Sequence, residues 1–143
     1  MECVYSLICN MEQKLLDKDE FKKIYLEHLK NGNTPILVYE QDHEILGIMS
    51  LRIEDQLHHC AKVAEIMELA VKEGNRSKGI GKELFDAACQ RAQNDGCIQI
   101  EVCCNQLRSK AHHFYEREGM HKFHYKFSKN LLGKIITENK LGI

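Results

Sequence analysis

Between Glu65 and Gly81 the chain concentrates two carboxylates, a run of cations and a pair of closely spaced glycines: Glu65-Ile66-Met67-Glu68-Leu69-Ala70-Val71-Lys72-Glu73-Gly74-Asn75-Arg76-Ser77-Lys78-Gly79-Ile80-Gly81. The first half is apolar on both alternating faces, the pattern of a central strand. A carboxylate held on such a strand can take a proton directly or through water, which makes Glu65 and Glu68 candidate general bases. On a regular strand, residues three apart point to opposite faces, so the two share a site only if a bulge intervenes. The second half suits an anion. Gly79 and Gly81 lack the Cβ that would block close approach, the first-turn N–H groups of the helix that opens there are unpaired, and the helix dipole adds partial positive charge. Lys72, Arg76, Lys78 and Lys82 bring four cations within eleven residues, partly offset by Glu73 and Glu83. An ordinary helix start with a solvated charged rim has the same glycines. Two nucleotide motifs fail on spacing: Gly81-Lys82 is followed by Glu83, not Ser or Thr, and the strand is neither first nor set in βαβ repeats.

The eight histidines invite a metal reading that their spacing resists. His58-His59 are adjacent, so on a strand they face opposite ways and need a turn to share an ion, while His112-His113 on a helix lie about 100° apart. No H-x-x-x-H or C-x-x-C pair offers zinc spacing. The seven cysteines, an odd set, read as reduced and mostly buried thiols of a cytoplasmic protein.

Around these residues the chain reads as one α/β domain. Its 143 residues are 43% apolar, enough for a single core, and 20 basic against 21 acidic residues leave a net charge of −1. That balance lacks the basic footprint of a nucleic-acid module. No apolar run approaches the roughly 18 to 20 residues that span a bilayer, so no membrane partner is expected. Apolar spacing predicts helices over 2–16 and 18–30, and strands over 36–40 and 45–53 joined by the polar tetrad Gln41-Asp42-His43-Glu44. It further predicts a strand over 62–71, a helix over 79–94, a strand over 97–102 and a helix over 108–118. The alternation of Phe123, Tyr125 and Phe127 predicts a last strand over 122–127. The order is ααβββαβαβ, a mixed arrangement of α and β layers.

With those residues in place, the chain resembles the GCN5-related N-acetyltransferases. Arg76-Ser77-Lys78-Gly79-Ile80-Gly81 fits the family's signature of Gln or Arg, two residues, Gly, one residue, then Gly or Ala. Arg108-Ser109-Lys110-Ala111-His112-His113-Phe114-Tyr115-Glu116-Arg117-Glu118-Gly119 is similar to a second family segment. Within the family, Val4 to Cys9, Leu57-His58-His59, Glu65 to Leu69 and Ala111 to Tyr115 resemble the aminoalkylphosphonate-acetylating branch. The resemblance implies a mixed central sheet flanked by helices, with residues 4–130 as the catalytic domain and 131–143 as a C-terminal extension. It implies direct attack of a primary amine on the thioester of acetyl-CoA in a ternary complex. Glu65 stands where the histone-acetylating branch has its base and is preferred to Glu68. A family bulge in this strand would aim the Leu69 N–H at the thioester carbonyl, and Ala70 and Val71 would pair with the pantetheine arm. Arg76, Ser77, Lys78, Gly79, Ile80, Gly81 and Lys82 would hold the pyrophosphate, Asn105 and Arg108 would touch the cofactor, and Tyr115 would protonate the departing thiolate. Arg52, His58 and His59 would meet a phosphonate, and the branch implies assistance by a divalent metal.

Two departures accompany the resemblance. The family usually opens with a strand before its first helix, and here the helix comes almost at once. Lys134-Ile135-Ile136-Thr137 in the extension could form a strand that fills the open edge or pairs with a second subunit, making a homodimer. The acceptor stays open at this level, since polyamines, aminoglycosides and protein lysines are acetylated on the same fold, and a non-catalytic acyl-CoA-binding module would keep the Arg76–Gly81 loop without needing Tyr115.

Overall fold

The first two helices form where the apolar spacing predicts them, although the first is shorter. In the computed structural model, which describes residues 1–132, α1 spans Glu2–Glu12 and α2 spans Lys18–Lys30. Gln13 stops α1 by turning left-handed at φ 54°, and the Lys14 N–H closes back onto the Cys9 carbonyl at 3.2 Å. Leu15 thereby leaves the apolar stripe and is 86% exposed. Asp17 then opens α2 by accepting the Glu20 N–H at 2.9 Å, and the Tyr5 hydroxyl ties the connection by donating to the Leu16 carbonyl at 2.7 Å.

Strands β1 (Ile36–Gln41) and β2 (Glu44–Gln56) form a hairpin. Asp42 and His43 both take positive φ, the pairing that matches a two-residue turn to strand twist. β2 pairs antiparallel with β3 (Ala61–Val71), α3 (Ile80–Asn94) crosses over, and β4 (Gln99–Val102) returns parallel to β3. The sheet order is β1-β2-β3-β4, a mixed sheet in an α/β fold.

Helices cover both sheet faces. On one, Val4, Leu7 and Ile8 of α1 pack with Ile48 and Ala70. On the other, α3 lies so close to β2 that a Cβ on Gly47 would stand 2.9 Å from Ile80 Cγ2 and 3.0 Å from Leu84 Cδ1, and Ala92 joins Ile53 and Ala64. Each fully buried Leu or Ile contributes about 1.5–3 kcal/mol, so these layers fix β3 at the centre. This unit, Met1–Val102, is followed by a second compact unit from Cys103 onward, whose helix α4 spans Ser109–Arg117.

The last expected strand does not form. Residues 122–127 carry no strand pairing in the described structure, and Phe123, Tyr125 and Phe127 are 78%, 82% and 93% exposed. Alternation specifies two faces for a segment, but a strand exists only where a neighbouring backbone takes up its hydrogen bonds. The strand expected at Lys134-Ile135-Ile136-Thr137 lies outside the described residues. No helix among the described residues is long and apolar enough to cross a membrane.

Candidate active site

A bulge in β3 decides which way the two glutamates point. Opposite β2, Glu65 pairs with Arg52 and Ile66 with Leu51, but Ser50 pairs with Glu68, so Met67 is the extra residue. Ser50 and Arg52 are two apart on β2 and share a face, and their partners Glu68 and Glu65 therefore share it too. Without the bulge the carboxylates would stand on opposite sides of the sheet.

Their partners differ. Arg52 Nη2 donates to Glu65 Oε2 at 2.5 Å, and its Nε lies 3.6 Å from Glu54 Oε2. The Glu65 side chain is only 18% exposed, against 46% for Arg52. Glu68 instead accepts from the hydroxyl of Ser50, the one buried polar residue among those described. Sequence reasoning missed Ser50; the signal was a lone hydroxyl inside the apolar run Leu46-Gly47-Ile48-Met49-Ser50-Leu51.

Across β3 the parallel register sets Glu101 beside Glu65. Glu101 Oε1 accepts from Gln99 Nε2 at 2.5 Å and lies 3.9 Å from His59 Nε2. His58 and His59 do not stand on a strand, so the rule that adjacent strand residues face opposite ways does not govern them. They sit in the turn between β2 and β3, where Cys60 takes φ 47°, and their ring centroids are 4.3 Å apart. Among the described residues no three His, Cys, Asp or Glu side chains converge as a metal site.

Past Ile66, β3 outruns its neighbour. The β4 pairing covers only Val63 to Ile66, whereas the strand continues to Val71. Leu69, Ala70 and Val71 thus present an edge that β4 does not occupy. The strand runs into a loop folded by an Asn75 N–H to Lys72 carbonyl bond of 3.0 Å, with positive φ at Gly74, Ser77 and Gly79. Gly79, at φ 85°, is the N-cap of α3, and no side chain caps the helix. A Cβ there would meet nothing within 4 Å, so the glycine serves the backbone angle and leaves the approach to the Ile80, Gly81 and Lys82 N–H groups clear of its own bulk.

The cation cluster is thinner than the sequence implies. Lys72 pairs with Glu44, and Lys82 lies 2.9 Å from Asp86, which leaves Arg76 and Lys78 as the loop's charges. Arg76 Nε donates weakly to the Val71 carbonyl at 3.4 Å. A cleft of about 480 Å³ lies beside the loop, lined by Asn10, Gln13 and Lys14 of the α1 end together with Glu73 and Arg76. It does not include Glu65 or Glu68.

The second unit organises the remaining candidates. The Asn105 side chain accepts the Leu107 N–H at 2.8 Å, and its carbonyl takes the Arg108 N–H at 3.0 Å and His112 Nε2 at 2.8 Å. This turn starts α4, on which Tyr115 is buried. Burial first, with a contribution from Cys104 and opposition from Arg108, pushes the Tyr115 phenol up to about 12. It stays protonated through the physiological range.

The structure thus brings Arg52, Glu65, Glu68 and the Leu69–Val71 backbone together on one strand pair, with the Arg76–Lys82 loop at its far end and His58-His59 at its near end. Asn105, Arg108 and Tyr115 are grouped in the second unit.

Comparison with known proteins follows the same outline. The sequence model of the acetyltransferase (GNAT) family matches residues 2–120. The aminoalkylphosphonate N-acetyltransferase of Salmonella typhimurium is 33% identical over 130 residues, which cover 91% of this chain and 84% of that protein. Among solved structures, a transcriptional regulator from Bacillus halodurans superposes with a TM-score of 0.82 at 21% identity, covering 89% of this chain and 90% of the other. An aminoglycoside acetyltransferase from an uncultured soil metagenomic sample, solved with trehalose, gives 0.77 at 21% identity over 90% and 86% of the two chains. At those identities the structural likeness speaks for the fold alone.

Proposed function

The chain belongs to the acetyltransferase (GNAT) family, and from that premise we propose that it moves the acetyl group of acetyl-CoA to the amine of a small aminoalkylphosphonate. The observation that carries the acceptor class is the Arg52–Glu65 ion pair on the shared face of β2 and β3. An aminoalkylphosphonate is itself a zwitterion, with an ammonium at one end and a phosphonate at the other. Entering at this pair, it exchanges one ion pair for two: the ammonium replaces the guanidinium at Glu65, and the half-exposed Arg52 swings to the phosphonate. Neither protein charge is left unpaired, which avoids the cost of breaking such a pair outright. A guanidinium suits the oxygens of a phosphonate through paired N–H donors. His58 and His59, one turn away, add positive charge when protonated. The 33% identity to an aminoalkylphosphonate N-acetyltransferase supports the same class.

The chemistry then follows from the bulged strand. The pyrophosphate of acetyl-CoA takes the Ile80, Gly81 and Lys82 N–H groups with Arg76 and Lys78, and the pantetheine arm pairs as an added strand with Ala70 and Val71 where β4 is absent. Glu65 accepts the ammonium proton, directly or through water. The freed amine attacks the thioester carbon, the Leu69 N–H receives the developing oxyanion, and the C–S bond breaks as the nitrogen gives its second proton to solvent. The family resemblance assigns Tyr115 to the departing sulfur. Full proton transfer from a phenol at about 12 to a thiolate of ~8.5 is uphill by roughly 5 kcal/mol. Its role is therefore a hydrogen bond to the thiolate, with solvent completing the protonation.

A second reading is favoured by a specific feature: Glu54 and Glu101 flank the ion pair, and three carboxylates near one another attract polycations such as aminoglycosides or polyamines. Product mass spectrometry distinguishes the two. Incubated with acetyl-CoA, with and without Mg²⁺, the protein is expected to acetylate aminomethylphosphonate and 2-aminoethylphosphonate but not spermidine, kanamycin or a lysine peptide. Acetylation of the polycations alone would overturn the phosphonate assignment.

A further inference from the structure

Beside the proposed base stands a second carboxylate with a partner of its own, Glu101. The parallel register of β3 and β4 sets it level with Glu65. Ala64 and Ile100, one residue back on each strand, pack with Ala92 of α3, so both carboxylates lie on the opposite face of the sheet. Neighbouring strands stand about 4.8 Å apart, close enough for two carboxylates to hold one small cation between them. Each is already matched to a cation. Arg52 Nη2 donates to Glu65 Oε2 at 2.5 Å, and His59 Nε2 lies 3.9 Å from Glu101 Oε1. Glu101 also accepts from Gln99 Nε2 at 2.5 Å, a donor that it keeps if His59 leaves. His59 belongs to the turn between β2 and β3, so a rotation of its side chain disturbs no strand register.

Two ion pairs on adjacent strands match a phosphonate in a way that one pair does not. A phosphonate ionises twice and carries up to two negative charges, whereas a sulfonate of the same shape carries only one. Arg52 answers the first charge. We propose that Glu101 is a specificity-determining residue for the acceptor: it holds His59 at the site in the free protein, and in the complex its carboxylate joins Glu65 on the ammonium while the His59 imidazolium turns to the second charge of the phosphonate. This rests on the aminoalkylphosphonate reading and adds the charge state of the acceptor to it. After the exchange Glu65 and Glu101 face the ammonium, and Arg52 and His59 face the phosphonate. No protein charge is left without an opposite one, which avoids the penalty of an uncompensated ion. The carboxylates that hold the two cations are separated by roughly one strand spacing, about 5 Å, a gap that the three oxygens of a single phosphonate can bridge. A sulfonate satisfies Arg52 and has no second charge for His59, so it leaves the His59–Glu101 pair in place.

Steady-state kinetics with acetyl-CoA and a matched pair of acceptors, 2-aminoethylphosphonate and 2-aminoethanesulfonate, tests the assignment. The two share chain length, amine and tetrahedral head, and differ by one ionisation. The unaltered protein is expected to prefer the phosphonate by about tenfold or more in kcat/KM. His59→Gln keeps an N–H donor but loses the charge, and should lower kcat/KM for the phosphonate by about tenfold while the sulfonate changes by less than about twofold. His59→Lys returns a cation and should restore the preference. Glu101→Gln should raise KM for both acceptors by about three- to tenfold, because the ammonium is common to them, and leave kcat and the KM for acetyl-CoA within about twofold. A damaged fold would give neither the change in acceptor ratio nor that split. Equal use of sulfonate and phosphonate by the unaltered protein, a preference that survives His59→Gln, or unchanged KM values in Glu101→Gln would each overturn the inference and leave the aminoalkylphosphonate reading standing. A protein that acetylates no aminoalkylphosphonate would overturn that reading, and the inference with it.

Discussion

The face shared by β2 and β3 holds two carboxylates in two kinds of surroundings, one on each side of the Met67 bulge. On the loop side, Glu68 is held by a neutral hydroxyl from buried Ser50, next to the stretch where Ile48 and Ala70 lie under α1. On the turn side, Glu65 is held by a half-exposed guanidinium that it shares with Glu54. The first arrangement offers a ligand no charge to exchange, because its donor is a neutral buried hydroxyl. The second can be exchanged, charge for charge, by any molecule that brings its own cation and anion. Within one strand pair, the proposed base and the second carboxylate differ in the kind of donor that holds them.

The largest expected effect tests that division directly. Glu65→Gln should lower kcat by about 10²–10⁴-fold, the usual contribution of a positioned base, whereas Glu68→Gln keeps an acceptor for the Ser50 hydroxyl and should lose less than about tenfold. Steady-state kinetics on both variants with an aminoalkylphosphonate would decide it, and the reverse ranking would move the base to the other side of the bulge. Next in size, Arg52→Ala should raise KM for the phosphonate by about 10- to 100-fold, in keeping with the ~1.5–3 kcal/mol of a charged hydrogen bond, and leave kcat within a small factor. An equal loss with an amine that lacks the phosphonate would mean that Arg52 serves Glu65 rather than the substrate.

Stability should rank the two pairs the other way round. Ser50→Ala removes the hydroxyl that donates to the Glu68 carboxylate and should lower unfolding free energy by about 1–3 kcal/mol. Arg52→Ala removes a half-exposed ion pair, a change that falls within about 1 kcal/mol. Chemical denaturation of the two variants measures both. A fold that loses more from Arg52→Ala would show that the ion pair is structural.

Much of this arrangement can be read from the residues, and the remainder fails for physical reasons. The helices and the β1–β2 hairpin follow from apolar spacing and from Asp42-His43, because those signals are local. The Arg76–Gly81 loop is legible because unpaired helix N–H groups and a positive φ at Gly79 demand particular residue types. The sharing of a face by Glu65 and Glu68 is not legible from spacing, since it depends on one inserted residue in a register that only strand pairing reveals; the family resemblance supplied the bulge that periodicity could not. His58 and His59 fall between the expected strands, and the turn that a shared site for them requires is present, a feature that adjacency alone does not specify. The strand expected at 122–127 shows the limit from the opposite side, because pattern predicts what a segment would do with a partner and is silent on where the partner is.

The smallest effect sharpens the comparison most finely. Arg52 is divided between Glu65 and Glu54, with its Nε 3.6 Å from the Glu54 carboxylate, so part of the guanidinium's attraction is spent on a neighbour that takes no part in the exchange. Glu54 also repels an incoming phosphonate. Glu54→Gln removes both effects while leaving the Glu65 contact and the strand register intact, and it should lower KM for an aminoalkylphosphonate by about two- to threefold, the ~0.5 kcal/mol typical of an exposed pair. The gain should shrink at high salt, because charges at this exposure are screened within about 10 Å at 0.1 M ionic strength. With a polycationic acceptor the same substitution should raise KM, since it removes an attractive charge. Kinetics of Glu54→Gln against both substrate classes therefore read the sign of the field at the exchangeable pair, and a KM that rises for the phosphonate would place its anion away from Arg52.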